Sequence, residues 1–295
     1  MLAIVIPYYR ITFLEATLQS LALQPDKRFM VYIGDDASPD SPKEILAKFE
    51  GQINFQYQKF ENNLGSQSLV KQWERCLAMT GDEKWVMILG DDDVLGDNAV
   101  AAFYNHQQKI EEQGINVIRF ASVLIDENGH ETSAVYNHPE TEKSTDFLYK
   151  KETQQTRSSL GEYIFNKECL IKNGFHDFPL AWHSDDMAIL QCSDFGNVFT
   201  INDAIAYIRV SSRSISGSET NVPIKKKATY LFYSELASHC SRHFTTEQKL
   251  KIVGKVEQYF FKHKNAKLFL KIAFWQLRQN GLVHLFKFLR RTYKN

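Results

Sequence analysis

The stretch from Trp85 to Asp93 constrains the fold of this chain most strongly, because five large apolar residues run directly into a glycine and three aspartates. A continuous apolar run of this length predicts a strand that is covered on both faces of its sheet. In open α/β sheets, ligands bind in the crevice beyond the carboxyl ends of the strands. Adjacent carboxylates repel one another unless a cation is present, and hard oxygen ligands suit Mg²⁺ or Mn²⁺. An isolated acidic triplet is more often a solvated turn, so the rest of the sequence must show whether this one binds a cation.

Composition excludes several classes of protein. The 295 residues include 35 basic and 35 acidic side chains, which gives no nucleic-acid signature, and the hydrophobic content of 43% predicts a folded core. The four cysteines form no C-x-x-C pair, so we expect free thiols in a reducing, cytoplasmic compartment rather than a zinc site or disulfides. The N-terminus lacks the basic start of a signal peptide, and no apolar run reaches the roughly 18 residues of a membrane span.

Strands alternate with helices through the first hundred residues. Residues 2–6, 29–33 and 85–89 are short apolar runs, residues 53–57 alternate between apolar and polar, and apolar positions recur at helical spacing between these segments. This order predicts an α/β fold with a Rossmann-like, mostly parallel sheet and flanking helices. Right-handed crossovers place all the strand tips at one edge of such a sheet. We therefore expect Pro7-Tyr8-Tyr9, Asp35-Asp36 and Asp91-Asp92-Asp93 to converge there.

The pattern changes after residue 98. Residues 117–125 predict a strand, and Asn128-Gly129 is typical of a tight hairpin. The polar stretch 133–159 predicts a long loop or mobile flap. Asp185 and Asp186 then open an apolar helix, where an acidic pair is as often a simple N-terminal cap. Residues 198–201 and 204–210 predict two further strands.

The order of these motifs resembles that of the family 2 glycosyltransferases of the GT-A fold. Strand-Pro-x-Tyr, Asp-Asp-x-Ser-x-Asp, Asn-x-Gly, an aspartate cluster after the fourth strand and an acidic pair before a helix follow one another within residues 1–216. The resemblance implies an inverting enzyme that moves a sugar from a nucleotide-diphosphate sugar, expected to be a UDP-sugar, to a hydroxyl of a glycan or lipid-linked saccharide in bacterial-type polysaccharide or surface glycan assembly. It also implies a nucleotide-sugar half at 1–98, an acceptor half at 99–216, and a separate helical region at 217–295.

The resemblance assigns the nucleotide pocket. Asp36 matches the family aspartate that hydrogen-bonds the base, typically uracil, and Pro7 and Tyr9 match positions that line the same pocket.

Three basic residues are candidates for holding the diphosphate. Lys71, Arg209 and Arg213 could each supply positive charge there, and a solvated surface role is the open alternative for each. We interpret residues 211–221 as a loop that closes over the donor.

The resemblance assigns different chemical roles to the two acidic motifs. Asp91 is expected to contact the donor sugar or ribose, and Asp92 to bind the divalent cation, Mn²⁺ or Mg²⁺, that neutralises the leaving diphosphate. Gly90 stands where the family pattern D-x-D-D begins with an acid. Asp185 and Asp186 match the E/D-D motif, whose second member is the general base.

Residues 264–295 carry eight basic side chains and no acid. Apolar residues at helical spacing predict two basic amphipathic helices joined at Asn280-Gly281. Such helices lie on anionic membranes, which would place the enzyme peripherally on the inner face of the cell membrane and suit a lipid-linked acceptor. A helical appendage packed on the catalytic domain or on a dimer partner is the alternative.

Two other functions remain open from sequence alone. A sugar-nucleotide nucleotidyltransferase shares the α/β plan but needs a glycine-rich loop after the first strand, and Pro7-Tyr8-Tyr9-Arg10-Ile11 contains no glycine. A non-catalytic nucleotide-sugar-binding module would retain the pocket and lack turnover.

Overall fold

The computed structural model describes residues 1–211, 214–215, 217 and 220–294. These residues divide into two compact units. The first unit comprises Met1–Asp177 and Ser184–Ser218, and the second comprises Phe178–His183 and Glu219–Asn295.

A nine-stranded sheet built from the described residues forms the centre of the first unit. Its strands are β1 (Leu2–Tyr8), β2 (Phe29–Asp35), β3 (Phe55–Lys59), β4 (Trp85–Ile88), β5 (Val94–Leu95), β6 (Val117–Ile125), β7 (Thr141–Lys143), β8 (Tyr163–Asn166) and β9 (Asn197–Arg209). Their order is β3-β2-β1-β4-β8-β6-β9-β5, with β7 paired to β9. Neighbours among β3, β2, β1 and β4 are parallel, as are β6 and β9, whereas β8 runs antiparallel to both β4 and β6.

Helices cover this sheet and bury its apolar side chains. They are α1 (Leu14–Ala22), α2 (Lys43–Lys48), α3 (Leu69–Leu77), α4 (Ala99–Glu112), α5 (Ser144–Glu152), α6 (Lys167–Asn173) and α7 (Ser184–Cys192). Every residue of β4 is buried, as a strand with apolar side chains on both faces requires. The predicted α/β fold, with a mostly parallel sheet and flanking helices, is confirmed.

Two predictions for the second half of this unit are wrong. The stretch 133–159 is not one long loop, because it contains β7 and α5, and Phe147 and Leu148 anchor α5 in the core. The two strands predicted at 198–201 and 204–210 form the single strand β9. A register shift between Phe120 and Ala121 of the neighbouring β6 accommodates its irregular centre.

The second unit is helical. It contains α8 (Val222–Glu235), α9 (Thr246–His263), α10 (Ala266–Trp275) and α11 (Leu282–Lys294), with π-helical turns at Leu236–Cys240 and Gln276–Asn280. Thr245 and Gln248 form a reciprocal capping box at the start of α9. The ring of Phe288 in α11 packs on Phe260 of α9 and Phe269 of α10, at centroid distances of 5.7 and 5.4 Å. Among the described residues, no helix combines the length and apolarity needed to cross a bilayer.

Candidate functional site

A cavity of about 480 Å³ opens at the carboxyl ends of β1, β2 and β4. The strands are parallel and in register, with Tyr8 beside Asp35 and Val5 beside Ile88, so the residues that follow them meet at one edge. Six of the predicted binding residues line this strand-end cavity: Pro7, Tyr9, Asp36, Asp91, Asp92 and Arg209.

Asp91 ties the end of β4 to the end of β1. Its Oδ2 accepts the backbone N–H of Tyr9 at 2.9 Å and that of Arg10 at 2.8 Å. Burial raises the pKa of Asp91 to about 6, although these two hydrogen bonds act to lower it. One carboxylate oxygen is thereby fixed to the protein backbone in the wall of the cavity.

Asp92 and Asp93 follow in different environments. The Oδ1 of Asp93 accepts the backbone N–H of Arg209 at 2.9 Å, and its carbonyl accepts the Thr17 hydroxyl at 2.8 Å, so Asp93 holds the turn together. Burial and the neighbouring Asp93 raise the pKa of Asp92 to about 7. Burial also raises the pKa of Asp93 to about 6. Within the described part of the chain, no other residue donates a hydrogen bond to the Asp92 carboxylate, which lines the cavity.

Two glycines allow the triplet to pack this closely. A Cβ at Gly90 would lie 2.7 Å from Asp92 Oδ1 and 3.0 Å from Asp93 Oδ2. A Cβ at Gly161, across the cavity wall, would lie 2.5 Å from Asp93 Oδ2. A side chain at position 90 would therefore displace the carboxylates that follow it from the positions they have here.

Asp36 is buried and organises the turn that follows β3. Its carboxylate accepts the backbone N–H groups of Leu64 and Gly65 at 2.6 and 2.9 Å, and the Arg75 guanidinium also donates to it. A Cβ at Gly65 would lie 2.5 Å from Asp36 Oδ2, so the close approach of this turn requires a glycine. Although it is buried, Asp36 is one of the residues that line the strand-end cavity.

Arg209 places a buried positive charge beside the aspartate triplet. Its Nε donates to the Asp92 carbonyl at 2.9 Å, its Nη1 donates to the Asp126 carbonyl at 2.6 Å, and its guanidinium lies 4.4 Å from the Phe13 ring centroid. These partners are neutral groups, so they orient the guanidinium without cancelling its charge.

The other two basic candidates are not placed in the cavity. Lys71 is exposed on α3 and is not among the residues that line it. Arg213 lies outside the residues that the structure describes, as do several positions of the 211–221 loop. Ser211, Ser214 and Ile215 of that loop do line the cavity.

The second acidic motif has a partner that sequence reasoning missed. Asp186, at the start of α7, is buried, and Lys151 Nζ donates to its two carboxylate oxygens at 2.6 and 2.7 Å. Burial acts to lower the pKa of Lys151, but Asp186 and Asp185 raise it above its usual value. Asp185 is half-buried, and neither acid lines the strand-end cavity. Because Lys151 lies in the stretch predicted as a loop, its pairing with Asp186 had no local sequence signal.

Arg157 is a second missed residue. Its Nη1 donates to Glu162 Oε2 at 2.7 Å and to Ser122 Oγ at 2.8 Å, and its charge acts to lower the pKa of Asp93. It also donates to Ser159, which together with Leu160 and Gly161 lines the cavity. Arg157 therefore anchors the wall opposite the aspartate triplet.

The aromatic pair before α7 belongs to the second unit. His183 stacks on Phe232 with 4.6 Å between ring centroids and is buried, so it is part of that core. Trp182 is half-buried, with Lys225 Nζ 4.8 Å from its ring centroid.

A mostly parallel α/β sheet with an acidic cavity beyond its strand ends defines a ligand-binding protein of the open-sheet class. The sequence profile described as "Glycosyl transferase family 2" matches residues 3–166, which is more than half of the chain. The chain therefore belongs to glycosyl transferase family 2, and the family recognised from the sequence motifs is confirmed.

Solved structures of S. aureus TarS share this fold. TarS 1–349 in complex with UDP-GlcNAc gives a TM-score of 0.61 at 15% identity, covering 97% of this chain and 81% of that chain. TarS 1–349 in complex with UDP gives 0.59 at 16% identity, covering 92% and 75%. Likeness at this level of identity shows the fold alone. Among curated proteins, none matches the sequence.

Proposed function

We propose that this glycosyltransferase moves a sugar, with inversion, from a UDP-sugar to a hydroxyl of a glycan or lipid-linked saccharide. The observation that carries the proposal is the run of three aspartates with raised pKa values at the wall of the strand-end cavity. UDP and UDP-GlcNAc are bound by TarS, whose fold this chain shares, and this supports a uridine diphosphate donor. Membership of the family supports sugar transfer over sugar-nucleotide synthesis.

Asp36 is the proposed contact to the base. A carboxylate has about four acceptor positions, and Leu64, Gly65 and Arg75 occupy three of them. The remaining position is available to the N–H of a uracil ring, with Pro7 and Tyr9 in the same cavity wall. The donors already bound fix the carboxylate in place before the nucleotide arrives, which lowers the entropic cost of binding.

The residues present fit a divalent cation held mainly by the donor. Among the described residues, no group of three or more His, Cys, Asp or Glu side chains could hold a metal ion alone. Mg²⁺ and Mn²⁺ commonly complete their coordination with substrate phosphates and water, and the Asp92 carboxylate lines the strand-end cavity where such a donor would bind. We assign Asp92 as the protein ligand. The bound cation would act as a Lewis acid on the leaving diphosphate.

Arg209 is proposed to hold the diphosphate beside Asp92. Its hydrogen bonds to two carbonyls fix the guanidinium, and its charge is left to act on an anionic ligand. Asp91 is proposed to bind the sugar or ribose through the carboxylate oxygen that does not accept the Tyr9 and Arg10 N–H groups.

Asp186 is the proposed general base, with Asp185 beside it. The acceptor hydroxyl gives its proton to the Asp186 carboxylate, its oxygen bonds to the anomeric carbon, and the bond to the diphosphate breaks on the opposite face. Lys151 favours the ionised carboxylate that can accept this proton. The acceptor hydroxyl must share or replace one of the two bonds from Lys151.

A donor screen tests the proposal directly. UDP-sugars are tested for hydrolysis and for thermal stabilisation of the protein, with and without Mn²⁺. We expect one or more UDP-sugars to stabilise the protein with Mn²⁺ and to be hydrolysed. Stabilisation with neither hydrolysis nor transfer across a panel of saccharide and lipid-linked acceptors would favour a non-catalytic binding module. Absence of any response to uridine nucleotides would overturn the donor assignment.

A further inference from the structure

Helix α10 is apolar on two opposite faces. Leu268, Ile272 and Trp275 are buried in the second unit. Leu270 and Phe274 form a separate stripe that continues to Leu277 in the following π-helical turn, and the exposed fractions of the three are 67%, 54% and 48%. Large apolar side chains at this exposure are common singly, but a stripe of three marks a surface for a partner.

Helix α11 repeats the arrangement. Phe288 is buried, whereas Leu282, Phe286, Leu289 and Tyr293 are exposed and spaced by four, three and four residues. This spacing aligns the four side chains along one face of a helix. Phe286 is 64% exposed and Tyr293 is 94% exposed. We call these residues, with Leu270, Phe274 and Leu277, the exposed apolar stripes.

Basic side chains flank both stripes on one side. Lys271 and Arg278 each follow a stripe residue by one position, as do Lys287, Arg290 and Lys294 in α11, which places them about 100° around the helix. All five are exposed. Residues 264–294 contain no acidic side chain, and Arg291, which is not one of these five, pairs with Glu257 of α9.

We propose that the exposed apolar stripes and their basic flanks form a surface that lies on an anionic lipid bilayer. Apolar side chains would enter the boundary between headgroups and acyl chains while Lys and Arg contact the lipid phosphates. A symmetric contact between two copies would bring the same basic patches together, and this like-charge repulsion disfavours a second copy as the occupant. The inference concerns the second unit alone and does not require the proposed sugar transfer to be correct.

Vesicle sedimentation of the full chain, without donor or acceptor, tests the apolar stripes. We expect binding to vesicles of phosphatidylglycerol and phosphatidylcholine, and little binding to phosphatidylcholine alone. Phe274→Ser with Phe286→Ser should lower the partition coefficient roughly tenfold or more. The matched control is Leu23→Ser with Ile171→Ser, which removes two equally exposed apolar side chains from the first unit and should bind as the parent does.

Charge variants provide a second readout that leaves the packing intact. Lys287→Gln with Arg290→Gln should weaken binding on the order of 30-fold at low salt, whereas Lys43→Gln with Lys172→Gln should not. Equal binding by parent and stripe variant, or no preference for anionic vesicles, overturns the proposal. Sedimentation velocity without lipid provides the remaining outcome: a dimer that the stripe variant abolishes, without vesicle binding, assigns the surface to a second copy and also overturns it.

Discussion

Two groups of adjacent aspartates in the first unit, residues 91–93 and 185–186, have different electrostatic environments. The carboxylates of Asp91 and Asp93 are held by backbone N–H groups, and burial raises the pKa of all three aspartates in the 91–93 triplet. Asp186 is buried more deeply than the half-buried Asp91 and Asp92, and it receives a lysine ammonium on both oxygens. Burial alone therefore does not decide what a carboxylate does.

In the proposed mechanism, this difference would separate cation binding from proton transfer. Three adjacent carboxylates beside one buried arginine still gain from a divalent cation, whether it comes from solution or with a metal-bound donor. A carboxylate that already has its own cation stays ionised but is a weaker base, so the proposed proton transfer requires the lysine contact to loosen as the acceptor binds. Under this proposal, one residue type serves two roles in one unit, and its partners decide which.

We expect the largest effect on the transfer rate from replacing Asp186, the proposed general base. Asp186→Asn keeps the size of the side chain and removes its basicity, so we expect the transfer rate to fall on the order of 10³-fold. UDP binding in the presence of Mn²⁺ should be unchanged, as measured by thermal shift. Asp185→Asn is the matched neighbour and should lose less activity. Wild-type turnover in Asp186→Asn would exclude this residue as the base.

Replacing Asp92 tests the proposal that the aspartate triplet binds the divalent cation. Asp92→Asn should raise the apparent Kd for Mn²⁺-dependent UDP binding by at least about tenfold, because the neutral amide is a poor ligand for a hard cation. Asp93→Asn keeps an oxygen for the Arg209 N–H and should retain the metal response. If both variants titrate with Mn²⁺ as the parent does, the assignment of Asp92 is wrong.

Replacing Lys151 should destabilise the fold, because it leaves the buried Asp186 carboxylate without its positive partner. Lys151→Met should lower the free energy of unfolding by about 2 kcal/mol, since breaking a buried ion pair is costly and Lys151 is partly exposed. Urea denaturation measures this. Lys150→Met is the control: Glu142 keeps its bond from Arg119, so a loss below about 1 kcal/mol is expected. Equal losses would mean that the Asp186 pair has no special role.

The smallest expected effect is the pH dependence of the thermal stabilisation by Mn²⁺. The pKa values of Asp91, Asp92 and Asp93 rise from 3.8 to about 6, 7 and 6, so their protonation stabilises the metal-free fold at low pH. That contribution is lost as pH rises from about 4 through about 7. With UDP present at saturation, Mn²⁺ should therefore raise the Tm by a few degrees at pH 8 and by almost nothing at pH 5. Equal shifts at both pH values, or a shift retained in Asp92→Asn, would contradict this.

Sequence patterns predict the strand-rich half of the molecule well, because β1 and β4 consist of apolar residues that only a covered strand can bury. The same patterns place Pro7, Asp36 and Asp91 at strand tips, which the parallel topology brings together. Polar segments are harder to predict. The stretch 133–159 has few apolar anchors, and α5 depends on Phe147 and Leu148 finding a core built from distant residues.

The pairing of Lys151 with Asp186 shows why the rest could not be predicted. The two residues are 35 positions apart, and no periodicity or spacing rule connects them. Whether a carboxylate is compensated depends on tertiary contacts, so the sequence names the acidic residues but not their electrostatic states. Gly90 differs from the family pattern visibly in the sequence, but its close approach to the Asp92 carboxylate is visible only in the structure.

The two glycines around the triplet also bear on protein engineering. Because a methyl group at position 90 or 161 would collide with the Asp92 or Asp93 carboxylate, these positions are unsuitable for diversification in a library that seeks new donor preferences. Thr12, Ser66 and Ser214 line the same cavity, but Ser66 is hydrogen-bonded to Asn63, and Ser214 to Ser211 and Gly217. A directed-evolution campaign that randomises Thr12 and fixes both glycines would sample altered cavity shapes while keeping the aspartate triplet intact.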